Sequence, residues 1–256
     1  MAGDRSISFR NVSKSFVARG ERFTALDDVS MDCPPGSFTA LIGPSGCGKS
    51  TLLRLALGLD QPDRGDIRIG RLAPREATAS GDTGVAFQDP ALLPWRNVEA
   101  NIALPLDVIG KPRSAFRDRI AELIDLVGLK GFEKSLPGEL SGGMRQRASI
   151  ARALVTRPGI LFLDEPFGAL DQILRRQMNI ELQRIWADSK ATTLLVTHGI
   201  DEAVFLADRV VVMQSRPGRI ATVIDVPFAR PRPKELFTSP AFHALNDVVT
   251  TALHGA

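Results

Sequence analysis

The stretch Gly43-Pro44-Ser45-Gly46-Cys47-Gly48-Lys49-Ser50-Thr51 constrains what this chain can fold into more than any other. It fits the pattern G-x-x-x-x-G-K-[ST], with an apolar run at 39–42 directly before it and a helix-like run at 51–57 directly after. Glycines at these positions let the backbone curl so that successive N–H groups point inward, at the positive end of a helix, and this makes a nest for an anion. Lys49 has the reach and charge to hold the β- and γ-phosphates of a nucleotide, and the Ser50 hydroxyl is placed to ligate Mg²⁺. The four specified positions match by chance in only about one chain in a hundred of this length. The strand–loop–helix context weakens the reading as a bare turn further.

Around this loop, short apolar runs alternate with amphipathic ones. Residues 39–42, 67–69, 84–87, 160–164, 193–197 and 210–213 read as strands, and several lack polar alternation, as in parallel strands buried on both faces. Phe116, Ile120, Leu123, Ile124 and Val127 recur at helical spacing with Gly128 as a C-cap, and Leu174, Met178, Leu182 and Ile185 mark a second helix. The alternation predicts an α/β core. Residues from roughly 90 to 155 carry few strand signals and read as a helical insertion. From about 225 the pattern dissolves into Pro-Phe-Ala-Arg-Pro-Arg-Pro and a short helical tail. Arg230, Arg232 and Lys234 there read as a proline-interleaved linker, and His243 and His254 as solvated.

Composition narrows the class. With 256 residues, 44% hydrophobic and 24% charged, the chain has material for one large core, which excludes a disordered or fibrous state. No run approaches the length a membrane helix needs, and the N-terminus has no apolar segment for secretion. A net charge of +3 gives no footing for a nucleic-acid partner. Cys33 and Cys47 have neither disulfide nor metal-ligand spacing, which suits a reducing cytoplasm.

A second constellation, Ile160-Leu-Phe-Leu-Asp164-Glu165, is an apolar strand ending in two carboxylates. Asp164 can hold Mg²⁺ while Glu165 orients and polarises an attacking water. A third, Leu140-Ser141-Gly142-Gly143-Met-Arg-Gln-Arg147, is another helix N-terminus fit to meet a phosphate. One γ-phosphate does not need two cradles in one chain, so the second serves a nucleotide held by a partner copy.

At this point the sequence resembles the ABC-transporter ATP-binding family, over about residues 7 to 225. Leu-Ser-Gly-Gly-Met-Arg-Gln-Arg is similar to its signature motif, Gln88 to its Q-loop, Ala169-Leu170-Asp171 to its D-loop, His198 to its switch histidine, and Phe16 to the aromatic that stacks on adenine. The spacing agrees: 39 residues from Lys49 to Gln88, 53 from Gln88 to Ser141, 33 from Glu165 to His198.

The resemblance implies a P-loop NTPase core with a RecA-like, mostly parallel sheet, an N-terminal antiparallel β region and a helical subdomain at about 90–155. An ATP-binding domain would span 1–225, with a C-terminal extension at 226–256. It implies a head-to-tail homodimer with two MgATP between one copy's loop 43–51 and the other's Ser141, Gly142 and Gly143, with Asp171 nearby. Glu165 would be the base, Gln88 would sense Mg²⁺ and the attacking water, and His198 would contact the γ-phosphate. Gly199 departs from the frequent Asp, and Phe16 from the commoner Tyr; Phe16 either stacks on adenine or belongs to the core.

Gln88 is followed by Asp89-Pro-Ala-Leu-Leu-Pro-Trp95-Arg-Asn-Val-Glu-Ala-Asn101. In the family this segment receives a coupling helix from a separate membrane permease, and Trp95 either anchors that contact or packs the helical insertion. Leu-Leu-Pro-Trp resembles importers of nitrate, of sulfonates and taurine, and of thiamine-pyrimidine precursors. The implied protein is thus a peripheral subunit on the cytoplasmic face of the membrane, served by an external solute-binding protein. The alternatives are a soluble ABC ATPase in nucleic-acid, ribosome or cofactor-assembly work, against which stand one cassette and no heptad run, and a non-hydrolysing binder, against which stand Glu165 and His198.

Overall fold

The chain folds around two sheets, described here for residues 4–18 and 20–255 from a computed structural model. The antiparallel one is built from β1 (Ile7–Ala18), β2 (Glu21–Cys33) and β4 (Arg64–Ile69), in the order β2-β1-β4. The larger comprises β3 (Phe38–Ile42), β5 (Thr83–Ala86), β6 (Ile160–Asp164), β7 (Thr192–Val196), β8 (Arg209–Gln214) and β9 (Arg219–Asp225), in the order β5-β6-β7-β3-β8-β9. All its neighbours run parallel except β8 and β9, so the expected α/β, mostly parallel core is present with one antiparallel edge.

Every residue of β3, β6 and β7 is buried, which is why these strands are mostly apolar and lack a polar alternation. Alternate side chains serve different clusters, as the two-residue period of a strand demands. Ala40, Ile42, Leu161, Leu163, Leu195, Val210 and Val212 join the helical side. Leu41, Phe162, Leu194, Val196, Val211 and Met213 join the opposite side, with Ile7, Phe9, Val29, Met31 and Ile67 of the antiparallel sheet and Leu52, Leu53 and Leu55.

The helices are α1 (Lys49–Ala56), α2 (Pro74–Ala79), α3 (Val98–Ile102), α4 (Leu104–Val108), α5 (Arg117–Leu126), α6 (Gly142–Leu154), α7 (Gln172–Ser189), α8 (Ile200–Leu206) and α9 (Pro240–His254). Of these, α3, α4, α5 and α6 all fall between β5 and β6. Among the described residues no helix is long and apolar enough to cross a membrane.

The C-terminal stretch corrects the linker reading of Arg230 and Arg232. Arg232 is only 2% exposed. Its Nη1 donates to the carbonyls of Val204, Phe205 and Ala207 at 2.7–3.1 Å and its Nε to Phe228 O at 3.1 Å. Three of these carbonyls end α8, where a helix has no N–H to offer them. Arg230 donates to Asp208 and to Leu206 O, with its guanidinium 4.3 Å above the Trp186 ring. The prolines here hold two arginines against a helix end instead of spacing them into solvent; Lys234, His243 and His254 are exposed. Beyond them Phe237 stacks on Phe205 at 4.2 Å, and α9 packs on α8 and β8.

Candidate functional site

Strand order, not chain order, assembles the site. β5, β6, β7 and β3 are parallel neighbours, so their C-terminal ends share one edge of the sheet. Gln88 lies two residues past β5, Glu165 one past β6, His198 two past β7 and Gly43 one past β3. An open α/β sheet gathers its ligand-binding loops at this edge.

The loop 43–48 runs from β3 into α1. Gly46 and Gly48 hold positive φ, of 79° and 98°. At Gly48 a Cβ would fall 2.5 Å from Leu26 Cδ2, and at Gly43 it would fall 2.7 Å from Met213 O, so neither position has room for a side chain. Cys47 is buried beneath the loop, whereas Pro44, Ser45 and Gly46 lie on its outer side. Lys49 is folded over the curl, its Nζ donating to Gly43 O at 2.8 Å and Pro44 O at 3.1 Å.

Ser50 Oγ donates to Asp164 Oδ1 at 3.4 Å. Burial pushes the Asp164 carboxyl above its ordinary range, the Glu165 charge adds to this, and Ser50, Lys49 and His198 pull it back. Among the described residues no three His, Cys, Asp or Glu side chains cluster as a metal cage. Mg²⁺ takes one or two protein ligands and leaves the rest of its octahedral shell to water and phosphate oxygens. A hydroxyl beside a carboxylate, at the foot of an anion nest, therefore fits MgATP.

Three residues of the sequence reading meet at one oxygen. Glu165 Oε2 accepts from Gln88 Nε2 at 2.9 Å, and His198 Nε2 lies 3.0 Å from it. Glu165 holds a left-handed φ of 48°, and its N–H donates to Val196 O at 2.8 Å, which fixes the carboxylate against the end of β7. A non-glycine residue in that region costs on the order of 1 kcal/mol or more and is kept where the surroundings demand it.

Ser141 caps α6, its Oγ accepting from Met144 N at 3.2 Å, and leaves itself and Gly142 exposed. Gly143 packs against Leu170, where a Cβ would come within 2.9 Å of Cδ2. Asp171 caps α7 by accepting from Leu174 N at 2.9 Å. Phe16 is half-buried on the hairpin, 5.8 Å from Phe23 between ring centroids and 5.4 Å from Lys14 Nζ, so it is not a core residue. Trp95 is 73% exposed, which corrects the alternative that it packs the helical insertion.

Several supporting residues were missed. Gln146 and Arg152 of α6 grip the segment around Gln88, donating to Phe87 O at 3.1 Å, Pro90 O at 2.6 Å and Ala91 O at 2.9 Å. Arg175 ties the turn before Asp171 through Phe167 O and Leu170 O. The buried Asn101 amide bonds Leu93, Arg96 and Asn97 main-chain groups and so fixes the loop that displays Trp95. Each is polar and sits within an apolar helical pattern, which is the only signal the sequence offers for it.

Comparison with known proteins agrees with this geometry. The ABC transporter family profile matches residues 26–168. The chain is 44% identical over 237 residues to the aliphatic sulfonates import ATP-binding protein of Bacillus subtilis, covering 92% of this chain and 89% of that one. It is 45% identical over 247 residues to the protein of the same name from Bacillus licheniformis, covering 95% and 92%. A dimeric bacterial ABC transporter cassette superposes with a TM-score of 0.77 at 31% identity, over 87% of this chain and 100% of that one. A cassette in a dimeric post-hydrolysis state with ADP and Pi superposes equally, with a TM-score of 0.77 at 30% identity over the same shares. With a profile match over more than half its length and relatives of 44% and 45% identity that cover most of both chains, the chain belongs to the ABC transporter family, as an ATPase cassette.

Proposed function

We propose that this chain powers an importer of sulfonates or similar small organic anions, as the ATP-hydrolysing subunit of a transporter whose permease is a separate chain. The observation that carries the hydrolytic part is the meeting of Gln88 and His198 on the Glu165 carboxylate, beside the cradle and the Ser50–Asp164 pair. In this reading the loop N–H groups and Lys49 hold the phosphates, with Ser50, Asp164 and Gln88 as the protein side of the Mg²⁺ shell. Bound Mg²⁺ would screen the negative charge that builds up in phosphoryl transfer. Glu165 orients and deprotonates the attacking water, His198 holds the γ-phosphate geometry, and Phe16 stacks on the adenine.

The exposed N-terminus of α6, with Ser141, Gly142 and Gly143, closes the site of a second copy in a head-to-tail homodimer, and Asp171 lies at the same interface. The helical segment at about 90–155 is the arm that carries this surface, attached to a core within 1–225, and 226–256 is an extension packed on that core. The exposed Trp95, on a loop fixed by Asn101, favours the permease as partner, and the relatives' names favour sulfonates as the cargo class. An external solute-binding protein delivers the solute to that permease. The subunit therefore works at the cytoplasmic face of the membrane.

The test is affinity capture of the tagged full chain from detergent-solubilised membranes of its source cells, with partners identified by mass spectrometry. Recovery of a polytopic permease supports the importer reading. Recovery of ribosomal or other soluble partners alone overturns it and leaves the ATPase chemistry standing.

A further inference from the structure

His198 lies between two residues that are tied to a buried acid. Glu202, on the first turn of α8, is 3% exposed, and its Oε2 accepts from Thr197 Oγ1 at 2.6 Å. The Thr197 hydroxyl, having given its proton to Glu202, accepts from Gly199 N–H at 2.9 Å. The result is an unbranched chain, Gly199 N–H to Thr197 hydroxyl to Glu202 carboxylate, that closes a ring around the His198 peptide. Gly199 is the N-cap of α8 and has no side chain to satisfy the helix start. A Cβ there would lie 3.2 Å from Glu202 Oε2 and 3.4 Å from Thr197 Oγ1, so a capping side chain would press on the ring. The Thr197 hydroxyl does that capping work from two residues upstream.

We propose that Glu202, acting through Thr197, is a positioning residue that sets where His198 sits against Glu165. The placement follows from connectivity. His198 Nε2 reaches Glu165 Oε2 at 3.0 Å from a half-exposed ring. Thr197 is tied to the buried carboxylate through its hydroxyl, and the Gly199 main chain is tied to that same hydroxyl. Loss of the ring frees the peptide to rotate, and displacements of about 1 Å in a catalytic group cost on the order of a hundredfold in rate. The cradle around Lys49 follows β3, which Thr197 meets through its main-chain N–H to Leu41 O and not through the hydroxyl, so these side-chain changes leave nucleotide binding in place.

The inference rests on reading His198 as part of the hydrolytic site, and the test separates the two. Steady-state ATPase is measured on the full chain for Thr197→Val, Thr197→Ser, Glu202→Leu, Glu202→Gln and His198→Ala, with amide hydrogen exchange followed at Gly199. Thr197→Val and Glu202→Leu are expected to lower kcat at least tenfold while KM for ATP stays within twofold. Thr197→Ser and Glu202→Gln, which keep the hydroxyl and the acceptor, are expected to restore most of the turnover. Gly199 exchange is expected to speed up at least tenfold in Thr197→Val, a variant that fills the same space and does not depend on Glu202→Leu folding. The double variant is expected to be no worse than either single, because both break one ring. If His198→Ala loses turnover while folded Thr197→Val retains it, the positioning role is wrong and the His198 reading stands. If His198→Ala retains turnover, both fall.

Discussion

Replacing Arg232 with methionine keeps a stem of similar length in a buried slot and removes the guanidinium that serves four main-chain carbonyls. Hydrogen bonds from a charged donor contribute about 1.5–3 kcal/mol each, and a carbonyl left buried without a donor costs about 1–3 kcal/mol. Against this stands the desolvation of the guanidinium, whose pKa burial pulls down to about 10. Removing one side of such a buried arrangement nets about 3–5 kcal/mol of lost stability. In a chain of this size each kcal/mol lowers the melting temperature by about 2–4 °C, so a drop of roughly 6–20 °C is expected. Differential scanning calorimetry of the full chain reads it directly. Arg232→Lys is expected to recover only part of the loss, because an ammonium in the place of Nη1 leaves the Phe228 carbonyl that Nε serves without a donor. A melting temperature for Arg232→Met within about 2 °C of the parent would refute the reasoning, since desolvation would then cancel the hydrogen bonds.

Other outcomes follow from the same geometry. Glu165→Gln is expected to bind ATP normally, to lose about 10²–10⁴ in hydrolysis, and to accumulate as an ATP-bound dimer on size exclusion; normal turnover would take the role of base away from Glu165. Lys49→Ala is expected to weaken ATP binding at least tenfold in a titration, and unchanged affinity would count against the cradle. Asn101→Ala orphans the main-chain groups of the Trp95 loop at a cost of about 2–3 kcal/mol, so permease capture should drop before ATP hydrolysis does; equal capture would disconnect that loop from the permease. Burial lifts the Glu202 carboxyl from its ordinary 4.5 to about 7, so the folded chain keeps a proton that the unfolded chain has released. Relative to Glu202→Gln, the parent should therefore lose about 3 kcal/mol as the pH rises from 4.5 to 7 and stay level above that. A stability difference that is flat across this window in parallel urea titrations would show that Glu202 ionises as freely in the fold as out of it.

What could be read from the sequence was what chemistry or two-sided burial forces on it. A phosphate nest needs Gly43, Gly46 and Gly48, and β3, β6 and β7 are buried on both faces and mostly apolar, with Thr39, Asp164, Thr192 and Thr193 as their polar residues, so both were visible. In the hairpin β1–β2 every second residue of Val29-Ser30-Met31-Asp32-Cys33 is buried, an alternation legible as a half-buried strand but invisible to a search for apolar runs, whereas the exposed edge strand β9 has no such period. Gln88, Glu165 and His198 stand far apart along the chain, and only the strand order β5-β6-β7 explains why they share an oxygen. Arg230 and Arg232 were misread because charge beside proline usually means solvent. Their partners are the end of α8 and the Trp186 ring, which no local pattern announces.

The hold of α6 on Phe87, Pro90 and Ala91 has a mechanical consequence. In the proposed pair, one copy's nucleotide pulls on Ser141 of the other copy, at the first turn of a helix bolted to that other copy's Trp95 loop. Force is then transmitted crosswise: each ATP acts first on the half of the permease seated over the opposite subunit. In such a pair, emptying one site would slacken the arm of the opposite copy first.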